Sequence, residues 1–75
     1  MRANISGERI RFLREKLQLG QVELAVALNL DYGINLAQSD ISEIERGVRG
    51  VKDFELDAFS KFFEVDVVWL LRGDL

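Results

Sequence analysis

Apolar residues recur at three- and four-residue spacing along most of the chain, with no sustained alternation, so the pattern predicts helices and no strand. A first helix is expected from about Gly7 to Leu17, with Ser6 as its N-cap and Ile10, Leu13 and Leu17 as its buried stripe. Gly20 closes the connection to a second helix. It opens at Gln21 and runs through QVELAVALNL, with Leu24, Ala25 and Leu28 facing inward and Ala25 small enough for a close helix crossing. Asp31 to Ala37, DYGINLA, has poor periodicity, and its Gly33 can end the second helix and turn the chain. A third helix follows from about Gln38 to Arg46. After GVRGVK, Asp53 can cap a fourth helix with Leu56, Phe59 and Phe63 as its stripe, while Glu55 and Asp57 suit its positive N-terminal end. Asp66 caps a last short helix, VVWLL, ended by Gly73. Proline is absent, so helix ends must be set by glycines and caps. Phe59, Phe63 and Trp69 read as core. Phe12, Phe54 and Phe62 fit the stripes less well, as core gap-fillers or as an exposed patch for self-association; Val67, Val68, Leu71 and Leu75 add to the case for a dimer or a following domain, or the last helix packs back on the fourth.

The most informative stretch is Gln38 to Gly47, QSDISEIERG. Ile41 and Ile44 form one apolar stripe, Gln38, Ser39, Ser42, Glu43 and Arg46 fall on other faces, and Gly47 supplies the stop. A short helix that packs by one stripe and keeps a hydrogen-bonding face free suits a DNA major groove, which makes nucleic acid the first partner to consider.

Composition narrows the chemistry. Seventy-five residues, 48% of them hydrophobic, are enough for one small domain with one core. With no Cys and no His, disulfides, thiol nucleophiles, imidazole bases and the usual zinc ligands are excluded, and the remaining carboxylates imply no cleft, so an enzyme is not expected. No stretch approaches the roughly 20 apolar residues that span a bilayer, and a soluble, cytoplasmic protein is expected. The net charge of -3 opposes a polyanionic partner, but it is unevenly spread: Met1 to Lys52 carries eight basic and seven acidic residues, Asp53 to Leu75 two and six.

Taken in order, GERIRFLREK, QVELAVAL, SDISEIERG, LDAFSKFFEV and VVWLLRGD resemble the Cro and lambda-repressor type of helix-turn-helix domain, the Xre-like regulators of bacteria and phages. The resemblance covers nearly the whole chain. It implies an all-α, compact five-helix domain over 1–75, standing alone or as the N-terminal part of a longer regulator. The implied role is a sequence-specific DNA-binding transcriptional regulator, such as a repressor, whose third helix reads a double-stranded operator. It implies a homodimer, with a C-terminal region outside this chain as one means of pairing, and no cofactor, metal or membrane. Carried over by position, Gln21 would meet a phosphate, Gln38 and Ser39 would read base edges with Glu43 one turn later, Ser42 would touch base or backbone, and Arg46 and Arg49 would suit phosphates.

A glutamine amide can pair with adenine through both donor and acceptor, whereas Glu43 only accepts and would select a cytosine amino group or else repel the backbone. Asp40 favours the helix start electrostatically, and Glu45 is expected to face the protein and pair with an arginine of the first helix. Arg9, Arg11 and Arg14 read as a solvated face with local pairing, Arg11 with Glu15. The chain departs from the family in two places. Asn29 to Ala37 carries about six extra residues by alignment of the flanking motifs, which either lengthen the second helix or protrude as a loop. Ala37 cannot cap, so either Asn35 caps an early start of the third helix or Ser39 a late one. The acidic balance and the acids of the third helix favour an alternative: a protein-protein interaction module on the same fold with weak or no DNA binding.

Overall fold

The structure, a computed structural model, describes residues 5–72. Among them are five helices and no strand: α1 (Ile5–Lys16), α2 (Gln21–Tyr32), α3 (Gln38–Glu45), α4 (Asp53–Phe63) and α5 (Val67–Arg72). Gly73 and Leu75, expected to end the last helix and extend its apolar face, lie outside the described residues. No described helix is long and apolar enough to cross a membrane.

The core is built from one stripe of each helix. Ile10, Leu24, Leu28, Ile41, Ile44, Phe59 and Leu70 have no exposed surface, and Leu13, Phe62, Phe63 and Trp69 pack around them. Phe63 stacks on Phe59 and meets Phe62 edge-on, at centroid distances of 6.4 and 5.1 Å. Phe62 is therefore a core filler. Phe12 and Phe54 are not, being 57% and 58% exposed, and Leu17 is also exposed because α1 ends before it could turn inward.

Helix starts follow a rule different from the one expected. The residues preceding α2, α3 and α4 are Gly20, Ala37 and Lys52, none with a side-chain acceptor to offer. Instead an acid three residues on reaches back to the backbone. Glu23 accepts from Gly20 N–H at 2.6 Å, Asp40 from Ala37 N–H at 2.8 Å, and Glu55 from Lys52 N–H at 3.0 Å. Each forms the reverse half of a capping box and puts a negative charge at the positive helix end. Asp53 is thus the first residue of α4 rather than its cap, and neither Asn35 nor Ser39 is needed to start α3. Asp66 does cap α5, accepting from Val68 N–H at 2.7 Å.

Ser6 is likewise no N-cap. It lies inside α1, buried, and donates through Oγ to the Leu70 carbonyl oxygen at 2.9 Å. That carbonyl lies in the last turn of α5, where intrahelical donors run out, so the bond ties α1 to α5. One residue on, Gly7 lies against the backbone of α3; a Cβ there would collide with the Ile44 carbonyl oxygen. The close crossing of α1 on α3 thus rests on Gly7, while Ala25 of α2 is buried as expected.

Helix ends use glycine only in part. Gly33 and Gly47 take positive φ, 67° and 77°, but Gln18 and Glu64 adopt the same left-handed conformation after α1 and α4. The long connection both extends α2, which continues through Asn29 to Tyr32, and then runs back as residues 33–37. Ile34 and Leu36 point into the core while Asn35 and Ala37 point outward, so the segment is anchored rather than protruding. Gly33 N–H and Ile34 N–H donate to the carbonyls of Asn29 and Leu28, closing the turn.

Candidate nucleic-acid interface

The α2–α3 unit presents two helix starts side by side, Gln21 opening one and Gln38 the other. Gln38 and Ser39 are exposed, Gln21, Ser42 and Glu43 half-buried, and Arg46 exposed at the far end of α3. Ile41 and Ile44 are fully buried, which fixes the rotation of α3 and leaves these polar residues outward.

A continuous hydrogen-bond chain runs beneath this surface. Arg14 forks onto Glu45, Nε to Oε2 at 2.7 Å and Nη2 to Oε1 at 3.0 Å, and donates Nη1 to the Leu19 carbonyl at 2.7 Å. The Glu45 side chain is 3% exposed and that of Arg14 12%. Its hydrogen bonds to Glu45 hold the Arg14 guanidinium above its ordinary pKa, against the opposing effect of burial. Glu45 Oε1 also accepts from Gln21 Nε2 at 3.0 Å, and Gln21 Oε1 accepts from Gln38 Nε2. Thus Glu45 does face the protein and pairs with α1. Arg14 is correspondingly not part of a solvated face. Nor is Arg9, whose guanidinium sits 4.5 Å from the centre of the Trp69 ring, while Arg11 pairs with Glu15 as expected, at 3.1 Å.

The acids of α3 are therefore less of an obstacle than their number suggests. Glu45 is buried under Arg14, and Asp40 has one oxygen on Ala37 N–H and the other 3.9 Å from Arg49 Nε. Asp40 and Glu43 are both half-buried, but Asp40 is engaged by its own helix start and by Arg49.

The two arginines past the helix differ. Arg46 is exposed, with Nε 3.3 Å from Ser42 Oγ, one turn back. Arg49 instead turns its fork to Glu55, with Nη1 to Oε1 at 2.9 Å and Nη2 to Oε2 at 2.8 Å. This bidentate pair clamps the loop after α3 to the start of α4. Burial pushes the Glu55 carboxyl up, but the bonds from Arg49 and from Lys52 N–H outweigh it and hold the pKa below its ordinary 4.5. A depressed carboxylate pKa contributes stability that is complete above the unfolded value and is lost as pH falls through the folded one. Stability is therefore expected to drop below about pH 4.5, and Glu55→Gln to flatten that part of the urea-midpoint profile while lowering stability at neutral pH.

Between the outer face of α2 and the connection lies an open groove of about 360 Å³, lined by Val22, Val26, Leu30, Leu36 and Gln38 among others. None of its lining residues is titratable, so it offers no general acid or base.

No protein-family model matches the chain, and no curated protein does. Among solved structures the chain is similar to the P22 c2 repressor protein, determined in complex with synthetic operator 9T in the presence of Tl+. The two are 34% identical, with a TM-score of 0.74 over 93% of this chain and 97% of that one. With this likeness in sequence and fold over nearly its full length, the chain belongs to the Cro and lambda-repressor-like family of helix-turn-helix proteins.

Proposed function

We propose that the chain is a sequence-specific DNA-binding transcriptional regulator that lays α3 in the major groove of an operator and acts as a dimer. The observation that carries this reading is the outward face of α3. Gln38 and Ser39 are exposed at its start, while Glu45 is buried under Arg14 and Asp40 is held by the Ala37 N–H. The likeness to a repressor in complex with a synthetic operator supports it. Gln38 and Ser39 read base edges, with Glu43 and Ser42 one turn on. Gln21, whose amide retains one unused N–H, meets a phosphate beside α2. Arg46 neutralises a second phosphate, and Arg49 contributes mainly by holding its loop against α4. The role is one of binding and not of catalysis.

A net charge of -3 keeps the affinity of one copy low, so a dimer on two half-sites is the economical arrangement. Val68 and Leu71, 40% and 50% exposed on α5, are apolar surface available for pairing. Cytoplasmic location follows from the role.

The test is a selection of bound duplexes from random DNA, followed by titration of the selected site. Gln38→Ala is expected to relax preference at one position and cost about 1–3 kcal/mol there, as a lost bidentate base contact does. Arg46→Ala should weaken all duplexes alike and reduce the salt slope by about 1. A dimer should select half-sites about 10 base pairs apart. Binding that survives both substitutions unchanged would count against the assignment. A second reading, as a protein-interaction module, is favoured by the apolar line Val22, Val26 and Leu30, 59%, 51% and 77% exposed along α2. Absence of DNA binding by dimeric protein at low salt would select it.

A further inference from the structure

We infer that Glu45, buried and out of reach of DNA, decides which base Gln38 selects, by fixing the polarity of two amides in series. This rests on the reading of Gln38 as a base contact. An ionised carboxylate only accepts hydrogen bonds, whereas an amide has one accepting and one donating end. Because Glu45 Oε1 is the atom next to Gln21, Gln21 must turn its nitrogen to it. Its oxygen is then left for Gln38, and Gln38 must turn its own nitrogen to that oxygen. Each step removes a choice. Gln38 is left with its carbonyl oxygen and one N–H, a single acceptor beside a single donor.

Adenine offers an amino donor beside the N7 acceptor in the major groove, which this pair complements. Guanine offers two acceptors, O6 and N7, and would set O6 against the Gln38 carbonyl. Adenine is thus chosen over guanine by a charge two residues removed from the base. Arg14 anchors the series, since its fork holds both Glu45 oxygens in place. Glu45 is in this sense a positioning residue. With an amide at position 45, a nitrogen can face Gln21, which would reverse both glutamines and leave Gln38 with two N–H donors and no acceptor.

The experiment uses the 75-residue chain and two duplexes. They carry the selected site and differ only by A·T or G·C at the position where Gln38→Ala abolishes preference. Wild type is expected to favour A·T by about tenfold, the lower part of the range for one bidentate contact. Glu45→Gln should reduce that ratio to about twofold or less while preference at other positions persists. Gln21→Met, which leaves the Arg14–Glu45 pair intact but removes the relay, should do the same at lower overall affinity, and it decides the matter if Glu45→Gln does not fold. Equal loss of affinity for both duplexes, with the ratio unchanged, in whichever of these variants folds would overturn the relay and leave the role of Gln38 standing. If no position loses its preference in Gln38→Ala, both fall together.

Discussion

Gly7→Ala is expected to be among the most damaging single-methyl additions in this fold, lowering stability by about 3 kcal/mol, the upper end for overpacking. A Cβ at this position would collide with the Ile44 carbonyl oxygen and stand 3.0 Å from its carbon and 3.4 Å from Glu45 Cα. All three are backbone atoms of α3, which cannot rotate away as a side-chain tip would. Helix α3 would have to move off α1, and Ile41 and Ile44 would lose part of their seat. Urea denaturation of a series measures this. Gly50→Ala, where an added Cβ meets nothing within 4 Å, should stay within about 0.5 kcal/mol of wild type. Gly33→Ala, equally uncrowded but at φ 67°, should lose about 1–2 kcal/mol to backbone strain alone. A Gly7→Ala midpoint indistinguishable from that of Gly50→Ala would mean that α1 and α3 are not so close. Because Gly7 presses on the helix that carries Gln38, partial rescue of folding should still leave DNA affinity reduced.

The expectations that held were those resting on period. Leu24, Ala25, Leu28, Ile41, Ile44, Leu56 and Phe59 repeat at helical spacing and are all buried, and the helices fall within a few residues of their expected limits. What could not be read from period was which chemistry ends a helix. Ser6 looks like a cap because hydroxyls favour caps, yet its partner, the Leu70 carbonyl, is 64 residues away. The starts of α2, α3 and α4 were more legible than they first looked, since an acid stands three residues after Gly20, Ala37 and Lys52 alike. The three-residue spacing was the available signal; the missing N-cap acceptor hid it. Gly7 left no trace in the pattern, because a glycine early in a helix looks the same whether it is merely tolerated or required by a neighbour.

At the candidate site, Glu45 and its arginine were foreseen because a buried acid demands a cation. The identity of that cation, Arg14 rather than Arg9 or Arg11, depends on which face of α1 meets α3 and emerges only from packing. Arg49 illustrates the reverse. Its nearness to α3 in sequence suggested a phosphate, while its pairing with Glu55 depends on nearness in space and had no sequence signal. The nine residues from Asn29 to Ala37 were the least legible part, since two apolar residues at alternate positions, Ile34 and Leu36, anchor a non-helical link whose direction no local rule sets.

Arg14→Met should lower stability by about 3–5 kcal/mol, because it leaves the Glu45 carboxylate, 3% exposed, without a countercharge. The Leu19 carbonyl loses its donor as well. For a domain of this size such a loss approaches the whole of the folding free energy, so far-ultraviolet circular dichroism should show a largely unfolded chain at 37 °C. Adding Glu45→Met removes the stranded charge. Two methionines fill similar volume with apolar contacts, and the double variant should recover most of the stability, since replacing both members of a buried pair is often neutral. It should not recover function in the same measure. Gln21 would have lost the acceptor that orients it, and Gln38 would be free to present either end of its amide. The expected result is a folded protein whose urea midpoint is near that of wild type and whose duplex discrimination at the Gln38 position is weak. A double variant that remained as unstable as Arg14→Met would show that the pair is needed for packing itself. One that regained both stability and discrimination would show that Gln38 is oriented by something other than the charge beneath it.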